Sequence, residues 1–123
     1  MNKPVALIDS NTYAARGLGL LLEDIGCRAI IGGNAGAILS AMGTPADLQL
    51  IIAEQNPGGG RNGLEEALVV RAAAGWDVPI LLLAARMYAL PILLTMIPDA
   101  VAIFTPVDIP VLLAAISGCI KKR

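Results

Sequence analysis

The chain contains no histidine. Ser-His and Cys-His nucleophile pairs need an imidazole as base, and imidazole is also the commonest metal ligand, so both kinds of site are missing from the outset. Aromatic residues are 3% of the sequence, so the core has to be aliphatic. Charge is scarce too. Asp, Glu, Lys and Arg make up 15%, and nine cations against ten anions leave a net charge of -1. Polyanion binding calls for a basic patch, so nothing here favours a nucleic-acid partner. The two cysteines, Cys27 and Cys119, form no short metal-type spacing and read as two buried reduced thiols.

What is abundant is aliphatic carbon. Apolar residues are 56% of 123, and mean hydropathy is +0.71. That excludes disorder, which needs low hydrophobicity and high charge. It also suggests a sheet covered on both faces, or apolar surface that meets a partner. A membrane span is not expected. The longest uncharged stretch, Ala29 to Ala46, is broken by four glycines, Asn34 and Pro45, and the greasiest, Met87 to Pro98, has 12 residues and two prolines. A span needs roughly 20 mostly apolar residues. The N-terminus, MNKPVALIDS, reaches an aspartate too soon for a signal peptide, so a cytoplasmic protein is expected.

Apolar runs alternate with helical patterns along the chain. Pro4 to Asp9 is a short apolar run ending in a carboxylate. Thr12 to Gly26 follows with Leu18, Leu21, Leu22 and Ile25 at helical spacing and Gly26 to end it. Gly17 and Gly19 inside that helix suggest close packing or surplus stability. Cys27 to Ile31 is the second strand, closed by Gly32 and Gly33, and Asn34 to Met42 is a weak small-residue helix. Leu48 to Ala53 is the third strand. Asn56 to Gly63 (NPGGGRNG) is a loop, and Leu64 to Ala74 is a helix with Leu64, Ala67, Leu68 and Arg71 in register. Val78 to Ala84 is a fourth strand. Tyr88 to Ile97 contains Pro91, which starts a helix or kinks it. Ala100 to Phe104 is a fifth strand. Asp108 to Ile120 is the last helix, with Asp108 as cap, Pro110 in its first turn and Lys121, Lys122 and Arg123 at the end favoured by the dipole.

Five β-α repeats of this kind predict one α/β domain over residues 1–123. Its expected core is a doubly wound, five-stranded parallel sheet of flavodoxin-like (βα)5 type. In such sheets the ligand pocket lies beyond the carboxyl ends of the strands. The residues to inspect are therefore Asp9 and Ser10, Ala53 and Glu54, Ala84 and Ala85, and Thr105 with Pro106.

Four pieces carry a resemblance across essentially the whole chain: VALIDSN, DLQLIIAEQNPGGGRNGLE, WDVPILLLAA and IFTPVDIPVLLAAI. In that order and spacing they resemble the receiver domain of two-component response regulators, the family of the chemotaxis regulator. The resemblance implies a receiver fold and a phosphoacceptor aspartate four residues before the loop proline. That proline is Pro57, and the matching position holds Ala53, which has no nucleophilic oxygen. Glu54 is the nearest carboxylate, and it reaches the pocket only if the strand slips by one residue. The family's acidic pair becomes Asp9 and Ser10, so Asp9 is at most a vestigial metal ligand and should hold Mg²⁺ poorly on its own. The switch hydroxyl becomes Ala84, the family lysine Thr105 and the aromatic switch position Ala102.

These losses are coherent. A lysine without its aspartate would be a costly unpaired buried cation. Two carboxylates about 4 Å apart repel by roughly 1 to 4 kcal/mol, which Ser10 relieves once no metal is needed. The pattern is that of a degenerate pseudo-receiver, with no catalytic residue, metal or cofactor. Asp9 reads either as a remnant metal ligand or as a partly solvated acid. Glu54 reads as a mimic of phosphoaspartate or as a solvated loop residue. Gly32 to Gly36 (GGNAG) follows the second strand and is a poor match to a nucleotide-binding loop. Gly58 to Gly60 are a flexible loop that could cover the pocket.

The segment Met87 to Ile97 has no charge in eleven residues, and Met87, Leu90, Ile92, Leu93, Met96 and Ile97 leave it no polar face. The resemblance implies that the fourth helix, fifth strand (with Phe104) and fifth helix form the usual dimer and partner face. The expected function is a phosphorylation-independent signalling module that binds a protein partner, or itself, there. The alternatives are a small-ligand sensor using the emptied pocket near Ala53, Ala84 and Thr105, a true receiver with an atypical acid at Glu54, and the segment simply tucked into the core. An enzyme has least support, because fold alone cannot argue activity.

Overall fold

Each apolar run becomes a strand because continuous Val, Ile and Leu suits a sheet buried on both faces. A computed structural model describes residues 4–9, 12–43, 48–55, 62–84, 101–104 and 108–121. The strands are β1 (Pro4–Ile8), β2 (Arg28–Gly32), β3 (Leu50–Glu54), β4 (Ile80–Ala84) and β5 (Val101–Phe104). They form one parallel sheet in the order β2-β1-β3-β4-β5. The helices are α1 (Thr12–Asp24), α2 (Ala35–Met42), α3 (Gly63–Ala74) and the C-terminal α4 (Ile109–Lys121). The segment 85–100, where a further helix was expected, lies outside the described residues.

Alternation along the strands divides the interior into two aliphatic layers. Ala6, Ile8, Ile51, Ala53, Ile80 and Leu82 face α2 and α3, where they meet Ile38, Leu64, Ala67 and Val70. Val5, Leu7, Leu50, Ile52, Leu81 and Leu83 face α1 and α4, where they meet Ala15, Leu22, Leu112 and Ile116. Cys27 and Cys119 are buried thiols outside any disulfide, as expected, and both belong to this second layer.

Element ends differ from the expected ones by a residue or two, for local reasons. Ile25 is exposed rather than inward-facing. Gly26 turns the chain at φ 86°, and Cys27 N–H bonds back to the Leu22 carbonyl at 2.8 Å. At its other end the second strand runs on through Gly32, which pairs with Ile8. Asn62 and Gly63 belong to α3, not to the loop. Asn62 caps that helix by accepting from the amides of Leu64 and Glu65, and Gly63 is its first residue. Asn34 caps α2 by accepting from Ala37 N–H, and Glu66 of α3 accepts from Ala35 N–H. Asp108 caps α4 by accepting from Val111 N–H, as expected.

Gly63 is the tightest backbone contact. Its N–H donates to the Gln55 carbonyl at 2.7 Å, and a Cβ there would overlap the Glu54 carbonyl oxygen. Backbone against backbone cannot yield as a side chain can. Gly63→Ala is expected to destabilise the fold by about 3 kcal/mol or more. Gly17→Ala, in open space on α1, should stabilise it by up to about 1 kcal/mol. Urea unfolding of the two variants checks both signs.

Candidate functional site

The carboxyl ends of β1, β3 and β4 lie side by side, and there the fold gathers Asp9, Ala53, Glu54 and Ala84. The register is fixed by Ile8 opposite Ala53, with Ala53 opposite Leu82 on the other side. Ala53 and Ala84 face the α2/α3 layer and both are 0% exposed. Asp9 and Glu54 each stand one residue beyond the Ile8–Ala53 pair, so their side chains share the opposite face. Ser10 and Thr105 lie outside the described residues, as do Met87, Leu90, Ile92, Leu93, Met96 and Ile97. Phe104 ends β5, with its backbone alone described. Ala102, where the resemblance implies an aromatic, is partly buried against the α2/α3 layer.

Glu54 is not a solvated loop residue. It is the last residue of β3, half-buried, and its carboxyl hydrogen-bonds the Asp9 side chain. No strand slip was needed, because Asp9 itself extends one step past Ile8 and meets Glu54 in the native register. Burial pushes the Glu54 carboxyl up from its ordinary value near 4.5 to about 7, helped by the hydrogen bond to Asp9 and by that neighbour's negative charge. Below about pH 7 the Glu54 carboxyl is therefore mostly protonated. Asp9 N–H in turn donates to the Gly32 carbonyl of β2 at 3.0 Å, so the pair is tied to the sheet.

Toward the Mg²⁺ that the resemblance implies, the described residues offer the two carboxyl groups of Asp9 and Glu54, and no group of three or more metal-type side chains occurs among them.

Gln55 was missed from the sequence. It is 8% exposed, its N–H donates to the Leu83 carbonyl at 2.8 Å, and its side-chain Oε1 finds no donor among the described residues. Continuing the β3–β4 register places it beside Ala84. Its place directly after the glutamate was the available signal. Among the described residues no helix is long and apolar enough to cross a membrane.

The architecture matches solved response regulator receiver domains. One from Methanospirillum hungatei aligns with TM-score 0.82 at 16% identity, over 99% of this chain and 96% of its own. The Vibrio cholerae chemotaxis protein CheY4 gives 0.81 at 17%, over 97% and 99%. NtrX from Brucella abortus, solved with ATP, gives 0.80 at 15% over 99% of this chain and 28% of its own. No family model matches the chain, and no curated protein matches it. At such identities the likeness establishes the receiver fold.

The acid pair makes stability depend on pH with a definite sign. Glu54 binds its proton more tightly folded than unfolded, so its contribution is complete below about 4.5 and is lost as pH rises through about 7. The thermal midpoint should therefore fall between pH 5 and pH 8. Glu54→Gln, which keeps the hydrogen bond without a titrating group, should flatten that fall. Scanning calorimetry at matched ionic strength reads both.

Proposed function

We propose that the chain is a non-catalytic signalling module on a receiver scaffold, one that engages a protein partner independently of aspartyl phosphate. The observation that carries this reading is Ala53. It occupies the β3 position opposite Ile8 where the family's phosphoacceptor would stand, and it is fully buried. Ala84, equally buried, stands where the switch hydroxyl would be. A methyl group at each position leaves neither an oxygen to phosphorylate nor a hydroxyl to follow the phosphoryl group. The receiver site is neutralised as a unit.

The partner face follows from what the scaffold leaves apolar. α4 buries Leu112, Ile116 and Cys119 against the sheet, and leaves Ile109 and Val111 about half exposed at its first turn. The uncharged segment 87–97 precedes β5 in the sequence. Together they suit a docking surface for an apolar partner face, as exposed apolar patches on small proteins commonly do.

Incubation with acetyl phosphate and Mg²⁺ should give no mass shift and no acid-labile phosphate. An adduct abolished by Glu54→Gln would overturn this reading in favour of an atypical acceptor. A second reading, a small-ligand sensor, is favoured by the buried Gln55 oxygen that lacks a donor. A ligand N–H or O–H would satisfy it. Native mass spectrometry of protein purified without denaturation separates the two: the bare chain is expected, and a retained small molecule would favour the sensor.

A further inference from the structure

α1 has a side that the sheet does not cover. Ala15 and Leu22 turn inward, while a neighbouring stripe of the helix overhangs the edge strand β2. Between helix and strand lies an open groove of about 260 Å³, lined by Arg16, Gly19, Leu20, Glu23, Ala29 and Ile31. Gly19, itself buried, lets the Ile31 side chain pack close to the helix, since a Cβ there would meet Ile31 Cδ1 at 3.0 Å. Leu20 stands beside the depression with 65% of its surface exposed, and Ile31 is 41% exposed. Arg16 and Glu23 bracket the groove, about 10.5 Å apart along the helix axis.

We propose that this groove seats a second copy of the chain, in an isologous dimer whose two α1 helices pack antiparallel. A two-fold axis passing between Gly19 and Leu20 brings Arg16 opposite the partner's Glu23, and Glu23 opposite the partner's Arg16. The same axis sets the exposed Leu20 of each copy against the groove of the other. Opposite charges sit at the two ends and exposed apolar side chains, Leu20 and Ile31, lie between them. Such a patch is complementary to itself, as a two-fold interface demands. Charge complementarity selects this occupant, since an unrelated partner would need no such symmetry along one helix. The pairing is antiparallel because a parallel one would put like charges together at both ends. The surface lies on α1, away from the partner face proposed above, and the two stand or fall separately.

Sedimentation equilibrium on the full chain, across roughly 10 μM to 1 mM, reads the association. The mean mass should climb from 12.7 kDa toward twice that value. Arg16→Glu and Glu23→Arg, made singly, each place two like-charge contacts in the interface and should weaken the dimer about tenfold or more. The double variant, with the charges exchanged, should return to within about threefold of the native chain. That recovery also separates lost charge pairing from lost folding, which melting curves by circular dichroism check directly. A chain that stays at 12.7 kDa throughout overturns the proposal. So do single reversals that dimerise normally, or a double variant that stays monomeric. A dimer lost in Leu93→Glu but indifferent to both charge reversals would put the contact on the other face and overturn it as well.

Discussion

Everything at the carboxyl edge of this sheet follows from one pairing, Ile8 of β1 against Ala53 of β3. Strand side chains alternate, so this register sends Ala53 into the α2/α3 layer and Glu54 to the other side. It also sets Asp9 beside Glu54. A shift of a single residue would exchange the two and drive a carboxylate into a wholly aliphatic layer, at the steep cost of burying a charge without a partner. Gly63 reinforces the register from outside. Its backbone rests on Glu54 and Gln55 so closely that the strand end and the start of α3 are fixed together.

The edge so defined carries buried methyl groups at Ala53 and Ala84 beside the acid pair. Ala53 and Ala84 need no partner. The acid pair Asp9 and Glu54 repels less at mildly acidic pH because burial raises the Glu54 carboxyl to about 7. Thr105 stands where the resemblance implies a lysine, so no buried cation is left there without an aspartate. The scaffold itself loses little by them, because both aliphatic layers close beneath the edge without help from it.

Most of the fold was legible in the sequence. Uninterrupted aliphatic runs such as LQLIIA and VPILLLA allow few structures other than strands buried on both faces, and the helical spacing of Leu18, Leu21 and Leu22 fixed the face of α1. Strand ends were less legible, because a strand stops where its neighbours stop. Glu54 looked like loop because its charge breaks the apolar run, yet β4 supplies a pairing partner in Leu83 and extends β3 by one residue. The contact between Asp9 and Glu54 was hidden for a similar reason. It depends on two strand ends 45 residues apart finishing level, and local pattern carries no such information. Ile25 failed the other way. Its spacing was helical, but Gly26 had already begun the turn.

The division of the interior into two layers has a mechanical consequence. Cys27 and Cys119 belong to the α1/α4 layer, and the α2/α3 layer contains no cysteine among its described residues. The two sulfurs come from opposite ends of the chain, one just before β2 and one on the last helix. Native-state alkylation kinetics would therefore register the lifting of α1 or α4 and stay blind to any movement of α2 or α3. The protein carries an intrinsic reporter for one half of its own breathing.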